Sequence, residues 1–255
     1  MIGQLFRRRA AAPPALVSKV PAGQRIYAIG DIHGRADLLD ALLAQIDADD
    51  VTRGPAQSRL VFLGDLIDRG PSSAQVIERA MQVAAGPRNC QFLLGNHEEV
   101  FLKALSGDLK ALAFFIRIGG RETILSYGIS EEEYRSCDYS ELLALLLERV
   151  PESHRTFLSA FEDLIIAGDF AFVHAGVRPG HPLEQQRASD LRWIRNEFLD
   201  HRDGFEKIIV HGHTITDDVD IRAHRIGIDT GAYSSGKLTA MGFEGGERWV
   251  LDTAC

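Results

Sequence analysis

The sequence predicts an α/β fold, and three observations support that class. Short apolar runs typical of buried strands alternate with longer segments of helical periodicity, the order expected of βαβ units around a largely parallel sheet. The chain has 255 residues, 45% of them hydrophobic, which is enough to bury one large core. Residues 1–23 read as a flexible, proline-containing leader, so we expect a single domain over residues 24–255.

The first half of the domain shows the alternation most clearly. Residues 25–29 form an apolar run that predicts a buried strand, and residues 60–63 and 90–94 predict two more. Between these runs, residues 36–46 carry four leucines and an isoleucine on one helical face, and residues 72–85 also have helical spacing. A strand, helix, strand, helix, strand order follows.

The middle of the chain differs from both ends. From residue 99 to about residue 167, apolar residues recur at helical spacing without strand-like alternation, and we predict a helical insertion. Strand-like runs return afterwards, separated by Asp and Gly. These runs cover residues 170–173, 207–210, 226–228, 238–243 and 249–251.

Composition excludes several classes of function. The 28 Lys and Arg residues against 36 Asp and Glu give a formal charge of −8, so nucleic acid is not expected as a stable partner. Three widely separated cysteines encode neither a disulfide framework nor a thiolate zinc site. No run approaches the ~18 apolar residues of a membrane span, and the N-terminal arginines precede no signal-peptide core. We therefore expect a cytoplasmic protein.

Five of the predicted strands end in a turn that carries side chains of the metal-ligand type. In an α/β sheet, ligands gather beyond the carboxyl ends of the strands, so these distant residues are expected to converge there. Glycines beside them would let the backbone approach a bound ion or phosphate. The turns read GDIHG at 30–34, GDLIDRG at 64–70, GNHE at 95–98, VHAG at 173–176 and HGHT at 211–214.

The residue types in these turns predict a centre with two metal ions. Asp31 and His33 stand two residues apart as a strand ends, so both side chains can leave on the same side and share one ion. A set of carboxylate, imidazole and amide groups without thiolate favours manganese or iron, with zinc as an alternative. Two such ions would clamp the phosphoryl oxygens and lower the pKa of a bridging water.

The order and spacing of the five turns resemble the phosphoprotein phosphatase branch of the calcineurin-like metallophosphoesterases. Within that branch the chain is most similar to the small bacterial and lambda-phage serine/threonine protein phosphatases, a likeness that WIR at 193–195 and IDTGA at 228–232 extend. The match runs from about residue 26 to residue 242. It implies an α+β sandwich of two mixed β-sheets flanked by helices, with the metals at one edge.

The resemblance also implies which residues bind the metals. The cofactor would be two divalent ions, each held by side chains from different turns. Asp31 and His33 would bind the first ion, Asp65 would bridge both ions, and Asn96, His174 and His213 would complete the second site.

Four further residues acquire roles by the same resemblance. Arg69 and Arg195 match arginines that hold the phosphoryl oxygens, a task that suits a planar, permanently charged guanidinium. His97 matches the general acid that protonates the leaving group, and Asp68 the carboxylate that orients it. Arg192, three residues before Arg195 on a predicted helix, would then be an ordinary surface charge.

Three further polar residues in or near the turns are expected to have structural roles rather than to bind metal. Glu98 is expected to start a helix, where an acid favours the positive end of the helix dipole. His211 is expected to be structural. Asp229 is interpreted as a residue that forms hydrogen bonds at the end of a strand.

The predicted function is a metal-dependent serine/threonine protein phosphatase that acts on phosphorylated proteins or small phosphomonoesters. Diesterases and nucleases of the wider superfamily carry a second histidine two residues after the first in the last motif, and Ile215 stands there instead. The alternative is a diadenosine tetraphosphate hydrolase, which shares the architecture and most ligands. A non-catalytic phosphate-binding scaffold is a third possibility, but it would be expected to lose ligands or the acid, and every expected position is filled.

Overall fold

The computed structural model describes residues 18–254. Its strands are β1 (Gln24–Ile29), β2 (Gln57–Phe62), β3 (Asn89–Phe92), β4 (Ile165–Ala167), β5 (Phe170–Phe172), β6 (Ile208–His211), β7 (Asp220–Ile221), β8 (Arg225–Gly227), β9 (Thr239–Glu244) and β10 (Glu247–Asp252). The α-helices are α1 (Ala36–Arg53), α2 (Ser73–Ala84), α3 (Asn96–Leu105), α4 (Leu109–Phe115), α5 (Arg121–Ser126), α6 (Glu131–Ser136), α7 (Tyr139–Arg149), α8 (Glu152–Ser159), α9 (Ala188–Trp193), α10 (Asn196–Leu199) and α11 (Ala232–Ser235). A π-helical turn (Ile116–Gly120) and a 3₁₀ turn (Leu183–Gln185) complete them.

The strands form two mixed sheets of five strands each. The first has the order β10-β9-β1-β2-β3, with β1, β2 and β3 parallel and β9 and β10 antiparallel to their neighbours. The second has the order β4-β5-β6-β8-β7, with a parallel centre and antiparallel edges. The prediction of two mixed sheets flanked by helices is confirmed. The βαβ order expected of the first half is present, since β1, β2 and β3 are parallel and alternate with α1 and α2. The sheets as a whole are less parallel than the alternation predicts, because later strands of the chain pair antiparallel with their neighbours.

Strand β1 shows how the two faces of the first sheet are used. Ile26 and Ala28 point into an apolar cluster shared with the second sheet, which includes Phe172 of β5. Tyr27 and Ile29 point the other way, into the cluster that α1 and α2 cover. Because both faces are buried, β1 reads as a continuous apolar run rather than an alternating one.

The predicted helical insertion packs on the helix-covered side of the first sheet. Phe101 of α3, Leu112 of α4 and Leu142 of α7 belong to the same buried cluster as the outer face of β1. The helical prediction holds as far as the end of α8. It is wrong at residues 165–167, where β4 pairs antiparallel with β5, because a three-residue strand is too short to show an alternating pattern.

The predicted leader falls partly outside the described residues, since residues 1–17 lie beyond them. Residues 18–23 are described and contact the domain. Val20 is buried and its amide donates a hydrogen bond to the Gly245 carbonyl at 3.0 Å, while the Lys19 amide donates to Asp169 Oδ2 at 2.8 Å. Over residues 18–254, no helix combines the length and the apolar character needed to cross a bilayer.

Candidate metal centre

Residues from five turns meet where strands of both sheets end. Asp31 and His33 follow β1, Asp65 follows β2, and Asn96 opens α3 shortly after β3. The other side comes from the second sheet, where His174 follows β5 and His213 follows β6. Parallel strands end at the same edge of a sheet, which places these residues together.

The backbone of these turns is unusual. Among residues 18–254, five non-glycine residues have a positive φ, between 47° and 72°, and all five belong to the predicted site. Left-handed backbone costs free energy for residues with a Cβ and persists where surrounding contacts enforce it, often at functional sites. The five residues are His33, Asp65, Asp68, Arg69 and His213.

Asp65 is at the middle of the cluster. Its Oδ2 lies 3.4 Å from His174 Nε2, 3.7 Å from His33 Nε2 and 3.8 Å from His97 Nε2. Two groups of donor atoms close enough to hold an ion share this carboxylate: one adds His33 and His97, the other His174 and His213. A carboxylate with imidazoles on both sides can serve two metal ions at once.

A hydrogen bond from Nδ1 orients the imidazole rings of His33 and His174. His33 Nδ1–H donates to the Ile67 carbonyl at 2.7 Å, and His174 Nδ1–H donates to the Leu63 carbonyl at 2.7 Å. A backbone acceptor of this kind leaves Nε2 as the atom that can bind a metal. Nε2 of His213 is buried and has no hydrogen-bond partner among the described residues. The donor set therefore fits divalent metal ions.

The charges of the cluster agree with this fit. Burial lowers the pKa of His33 to about 3, and burial together with the charge of His174 lowers the pKa of His213 to about 2, so both rings are neutral, as metal ligands must be. Burial also opposes protonation of His174, but the charge of Asp65 outweighs it and raises the pKa of His174 to about 10. The Asp65 carboxylate thus favours a cation at its side.

The remaining predicted ligands enter from different directions. Asn96 Oδ1 lies 3.0 Å from His174 Nε2, so its amide faces the same space. Asp31 accepts the backbone N–H of His213 at 3.0 and 3.2 Å and is not a member of either three-residue group. Burial and the charge of Asp229 raise the pKa of Asp31 well above its usual value. The contact of Asp31 with the donor cluster is therefore a hydrogen bond to the backbone of the turn that carries His213.

The structure brings His97 and Asp68 into direct contact. His97 Nδ1 lies 2.6 Å from Asp68 Oδ2, and the hydroxyl of Thr123 donates to Asp68 Oδ1 at 2.6 Å. Burial opposes protonation of His97, yet the charges of Asp65 and Asp68 outweigh it and raise its pKa. Thr123 belongs to α5, so the helical insertion helps to fix the His97–Asp68 contact, a role that no local sequence pattern signals.

Arg69 lies over the imidazoles of the first donor group. Its guanidinium donates to His33 Nε2 at 3.0 Å and lies 3.1 Å from His97 Nε2. The ring of Tyr233 lies beside both, with the Arg69 Cζ atom 4.9 Å from its centroid and the His33 ring 5.5 Å away. Sequence reasoning missed Tyr233, because the tyrosine stands outside the five turns and meets them only in the fold.

The two arginines of the 192–195 segment differ in their contacts. Arg195 is exposed, and its charge contributes, after burial and His174, to the low pKa of His213. Arg192 instead forms a bidentate pair with Asp163, at 2.6 and 2.9 Å. The interpretation of Arg192 as an ordinary surface charge is therefore wrong: its side chain links α9 to the end of the helical insertion.

Glu98 does more than begin a helix. Its carboxylate accepts the backbone N–H groups of Asp65 at 2.9 Å, Leu66 at 2.8 Å, Ile67 at 3.2 Å and Gly95 at 3.1 Å. These four donors belong to the two turns that carry Asp65 and Asn96. Glu98 therefore ties the second and third turns together, a role hidden in the sequence because three of its four partners are main-chain atoms 31 to 33 residues away.

Asp229 and His211 match in part the structural roles that the sequence predicted for them. Asp229 accepts the Gly231 N–H at 2.9 Å, as expected at the end of a strand, and it also adds a negative charge beside Asp31. His211 is buried, and its ring packs edge-on against Phe198.

Comparison with known proteins agrees with this geometry. A family profile described as calcineurin-like phosphoesterase matches residues 24–238. The chain is 26% identical over 239 residues to the bis(5'-nucleosyl)-tetraphosphatase PrpE (asymmetrical) of Anoxybacillus flavithermus, covering 84% of this chain and 88% of that protein.

Two solved structures have a similar fold. One is described as a "putative diadenosine tetraphosphatase" and has a TM-score of 0.63 at 22% identity, covering 95% of this chain and 96% of that one. The other is a cold-active protein tyrosine phosphatase, with a TM-score of 0.55 at 17% identity and coverage of 92% and 82%. At these identities the likeness concerns the fold alone.

Proposed function

Since this chain belongs to the calcineurin-like phosphoesterase family, we propose that it is a metal-dependent hydrolase of dinucleoside tetraphosphates. The observation that carries the hydrolase assignment is the pair of buried donor groups that share Asp65. The substrate class is supported by the name of the PrpE relative. This proposal replaces the expected serine/threonine protein phosphatase by the alternative considered beside it, because the similar curated proteins bear the tetraphosphatase name.

The donor set suits manganese or iron, with zinc as an alternative, because imidazole and carboxylate are present and thiolate is not. Such ions, when bound, would polarise a phosphoryl oxygen and lower the pKa of water toward neutrality. We assign the following residues to hold them: Asp31, His33, Asp65, Asn96, His174 and His213.

The arginines provide the contacts to the phosphate chain. The Arg69 guanidinium lies 3.0 Å from His33 Nε2 and 3.1 Å from His97 Nε2. Arg195 is exposed, and its charge contributes to the low pKa of His213. Guanidinium groups bind phosphoryl oxygens through paired, charge-assisted hydrogen bonds. In a chain with a formal charge of −8, these local cations are what makes a tetraphosphate a favourable ligand.

The acid pair supports a second candidate activity at the same centre. Cleavage of a phosphoanhydride releases a phosphate, which is a weak base and needs little protonation, whereas cleavage of a serine phosphate releases a strongly basic alkoxide. His97, held by Asp68 and with a raised pKa, is suited to protonate such an alkoxide. Hydrolysis of phosphomonoesters is therefore the second activity that we propose to test.

The experiment compares kcat/KM of manganese-loaded protein for diadenosine tetraphosphate, for p-nitrophenyl phosphate, and for phosphoserine, phosphothreonine and phosphotyrosine peptides. We expect the dinucleotide to be preferred by about tenfold or more, equivalent to ~1.4 kcal/mol in the transition state. Anion-exchange chromatography of the products distinguishes asymmetric cleavage to ATP and AMP from symmetric cleavage to ADP. Asp65→Asn, purified in parallel, controls for contaminating phosphatases.

Two outcomes would contradict the proposal. A preference for a phosphopeptide would restore the protein phosphatase assignment. Absence of turnover with every substrate, in protein that holds manganese, iron or zinc, would favour a non-catalytic phosphate-binding scaffold.

A further inference from the structure

The helical insertion is interrupted by two consecutive glycines. Gly119 and Gly120 end the π-helical turn that joins α4 to α5, and glycine is among the least favourable residues for a helix interior. Gly119 has φ 119° and ψ 12°, a backbone conformation outside the helical range that residues with a Cβ rarely adopt. π-Helical turns are frequent at functional sites. The two glycines of this turn face different partners.

Gly120 serves the packing of the insertion itself, since a Cβ at this buried position would overlap the ring of Phe115. Gly119 faces Arg69 instead. Its carbonyl accepts the Arg69 N–H at 3.0 Å, and a Cβ at Gly119 would lie 2.8 Å from Arg69 Cγ and 3.3 Å from Arg69 N. Only a residue without a side chain therefore lets the turn lie this close to the stem of Arg69.

The same part of the insertion holds the backbone that carries Arg69. Asp68 and Arg69 have φ of 72° and 67°, and left-handed residues with a Cβ persist only where surrounding contacts enforce them. The Asp68 N–H donates to Thr123 Oγ1 at 2.9 Å and to Ser73 Oγ at 3.0 Å, while the Arg69 N–H donates to Gly119. The insertion therefore accepts a hydrogen bond from both residues of the left-handed pair.

The position of the Arg69 guanidinium follows from this fixed stem. The guanidinium lies 3.0 Å from His33 Nε2 and 3.1 Å from His97 Nε2, and its Cζ is 4.9 Å from the centre of the Tyr233 ring. An unrestrained arginine samples many rotamers, and ordering its side chain on binding costs free energy. An arginine that is already held over the donor atoms loses less free energy in this way when it binds a phosphoryl group.

We propose that Gly119 is a positioning residue for phosphate binding: it fixes the backbone and the stem of Arg69 and so directs the guanidinium to the metal centre before a phosphoryl group binds. Gly119 acts through Arg69 rather than on the substrate. The proposal rests on the proposed function in one respect, the assignment of Arg69 to the phosphoryl oxygens.

Calorimetric titration of the zinc-loaded full chain with inorganic phosphate tests the proposal through a double-mutant cycle. We expect Gly119→Ala to weaken phosphate binding about tenfold in the wild-type background and less than about twofold when Arg69→Ala is already present. The two losses are non-additive because displacement of the stem matters only while the arginine is there. A glycine that merely supports the fold would cost the same factor in both backgrounds.

Gly107→Ala is the matched control. Gly107 lies between α3 and α4 in the same insertion and has φ 105°. Apart from its chain neighbours, no atom of residues 18–254 comes within 4 Å of a Cβ added there. The variant therefore imposes a similar backbone restriction without touching Arg69. It should lower the melting temperature and leave the phosphate affinity unchanged.

A measurement on the unsubstituted protein keeps the proposal testable if Gly119→Ala does not fold. Zinc has a filled d shell and is diamagnetic, so ¹⁵N relaxation of the zinc-loaded, phosphate-free chain reports the order parameter of the Arg69 Nε–H group. Because the stem is held by Gly119, we expect this order parameter to exceed clearly that of Arg187, which is exposed.

Four results would overturn the positioning role. Gly119→Ala might fold and bind phosphate as the wild type does, or it might weaken binding by one factor in both backgrounds. Gly107→Ala might weaken binding as much as Gly119→Ala, which would assign the effect to backbone strain in general. An order parameter below about 0.6 for the Arg69 Nε–H group would show that the side chain is not held.

The same experiment separates this proposal from the proposed function, because titration with phosphate requires no turnover. If the two substitutions are coupled but diadenosine tetraphosphate is not hydrolysed, the proposed function fails and the positioning role stands. If the dinucleotide is hydrolysed and the substitutions are not coupled, the positioning role fails and the proposed function stands.

Discussion

Asp68 holds the ring of His97 through a contact of 2.6 Å between Oδ2 and Nδ1, and the hydroxyl of Thr123 fixes Asp68 from the other side. The opposite edge of the His97 ring faces Asp65, whose charge helps to raise the pKa of the imidazole despite its burial. A protonated imidazole held by a buried carboxylate is suited to give its proton to a departing oxygen.

His97→Ala should therefore slow substrates according to their leaving groups. A serine alkoxide must be protonated as it leaves, so kcat for a phosphoserine peptide should fall by ~10²–10⁴-fold, while p-nitrophenyl phosphate and diadenosine tetraphosphate lose much less. Asp68→Asn should show a milder form of the same bias. Steady-state kinetics with the three substrates measure it. An equal loss on all three, accompanied by loss of metal, would identify His97 as a ligand-shell residue instead.

Asp65→Asn should empty both proposed metal sites together, because the carboxylate is shared by the two donor groups. Elemental analysis of purified protein should show bound manganese falling for both ions, and turnover of every substrate should be lost. Asp108→Asn is the control, since it removes an exposed carboxylate whose helix-capping role an asparagine can replace. Two ions retained tightly in Asp65→Asn would refute the bridging assignment.

Arg195→Ala should affect phosphate binding, whereas Arg192→Ala should affect the stability of the fold. Loss of the exposed Arg195 should weaken inhibition by inorganic phosphate about tenfold without changing the melting temperature. Loss of Arg192 breaks its bidentate pair with Asp163 and should lower the free energy of unfolding by about 1–2 kcal/mol, with phosphate inhibition unchanged. If Arg192→Ala harms phosphate binding more, the two roles must be exchanged.

Glu98→Gln tests whether one carboxylate organises the second and third turns. A glutamine amide carries one acceptor oxygen and would turn its NH₂ group toward backbone donors that now face a carboxylate. We expect the free energy of unfolding to fall by about 1–3 kcal/mol and manganese to bind more weakly. Denaturant titration and metal titration measure the two effects. Glu132→Gln, at an exposed position, should change neither; equal behaviour of both variants would argue against the organising role.

Much of the architecture could be predicted from local patterns. The apolar runs of β1 and β2, the amphipathic α1 and the helical character of the insertion depend on side chains close together in sequence, so their periods are visible there. The polar turns were recognisable for the same reason, because their short glycine-flanked strings contain the donor atoms themselves. What such strings determine is the kind of chemistry available and the strand ends that carry it.

Other features were decided only by which distant segments meet. The split into two sheets was predicted only through the family resemblance, because it depends on the short β4 and on late antiparallel strands, whose partners a local pattern does not specify. Glu98 and Thr123 act through main-chain atoms or through a residue dozens of positions away, so nothing beside them in sequence marks their role. Arg192 and Arg195 are the same residue type in the same segment, and only the fold shows that Arg192 pairs with Asp163. Side-chain type is local, whereas burial, pairing and cavity shape are properties of the packed chain.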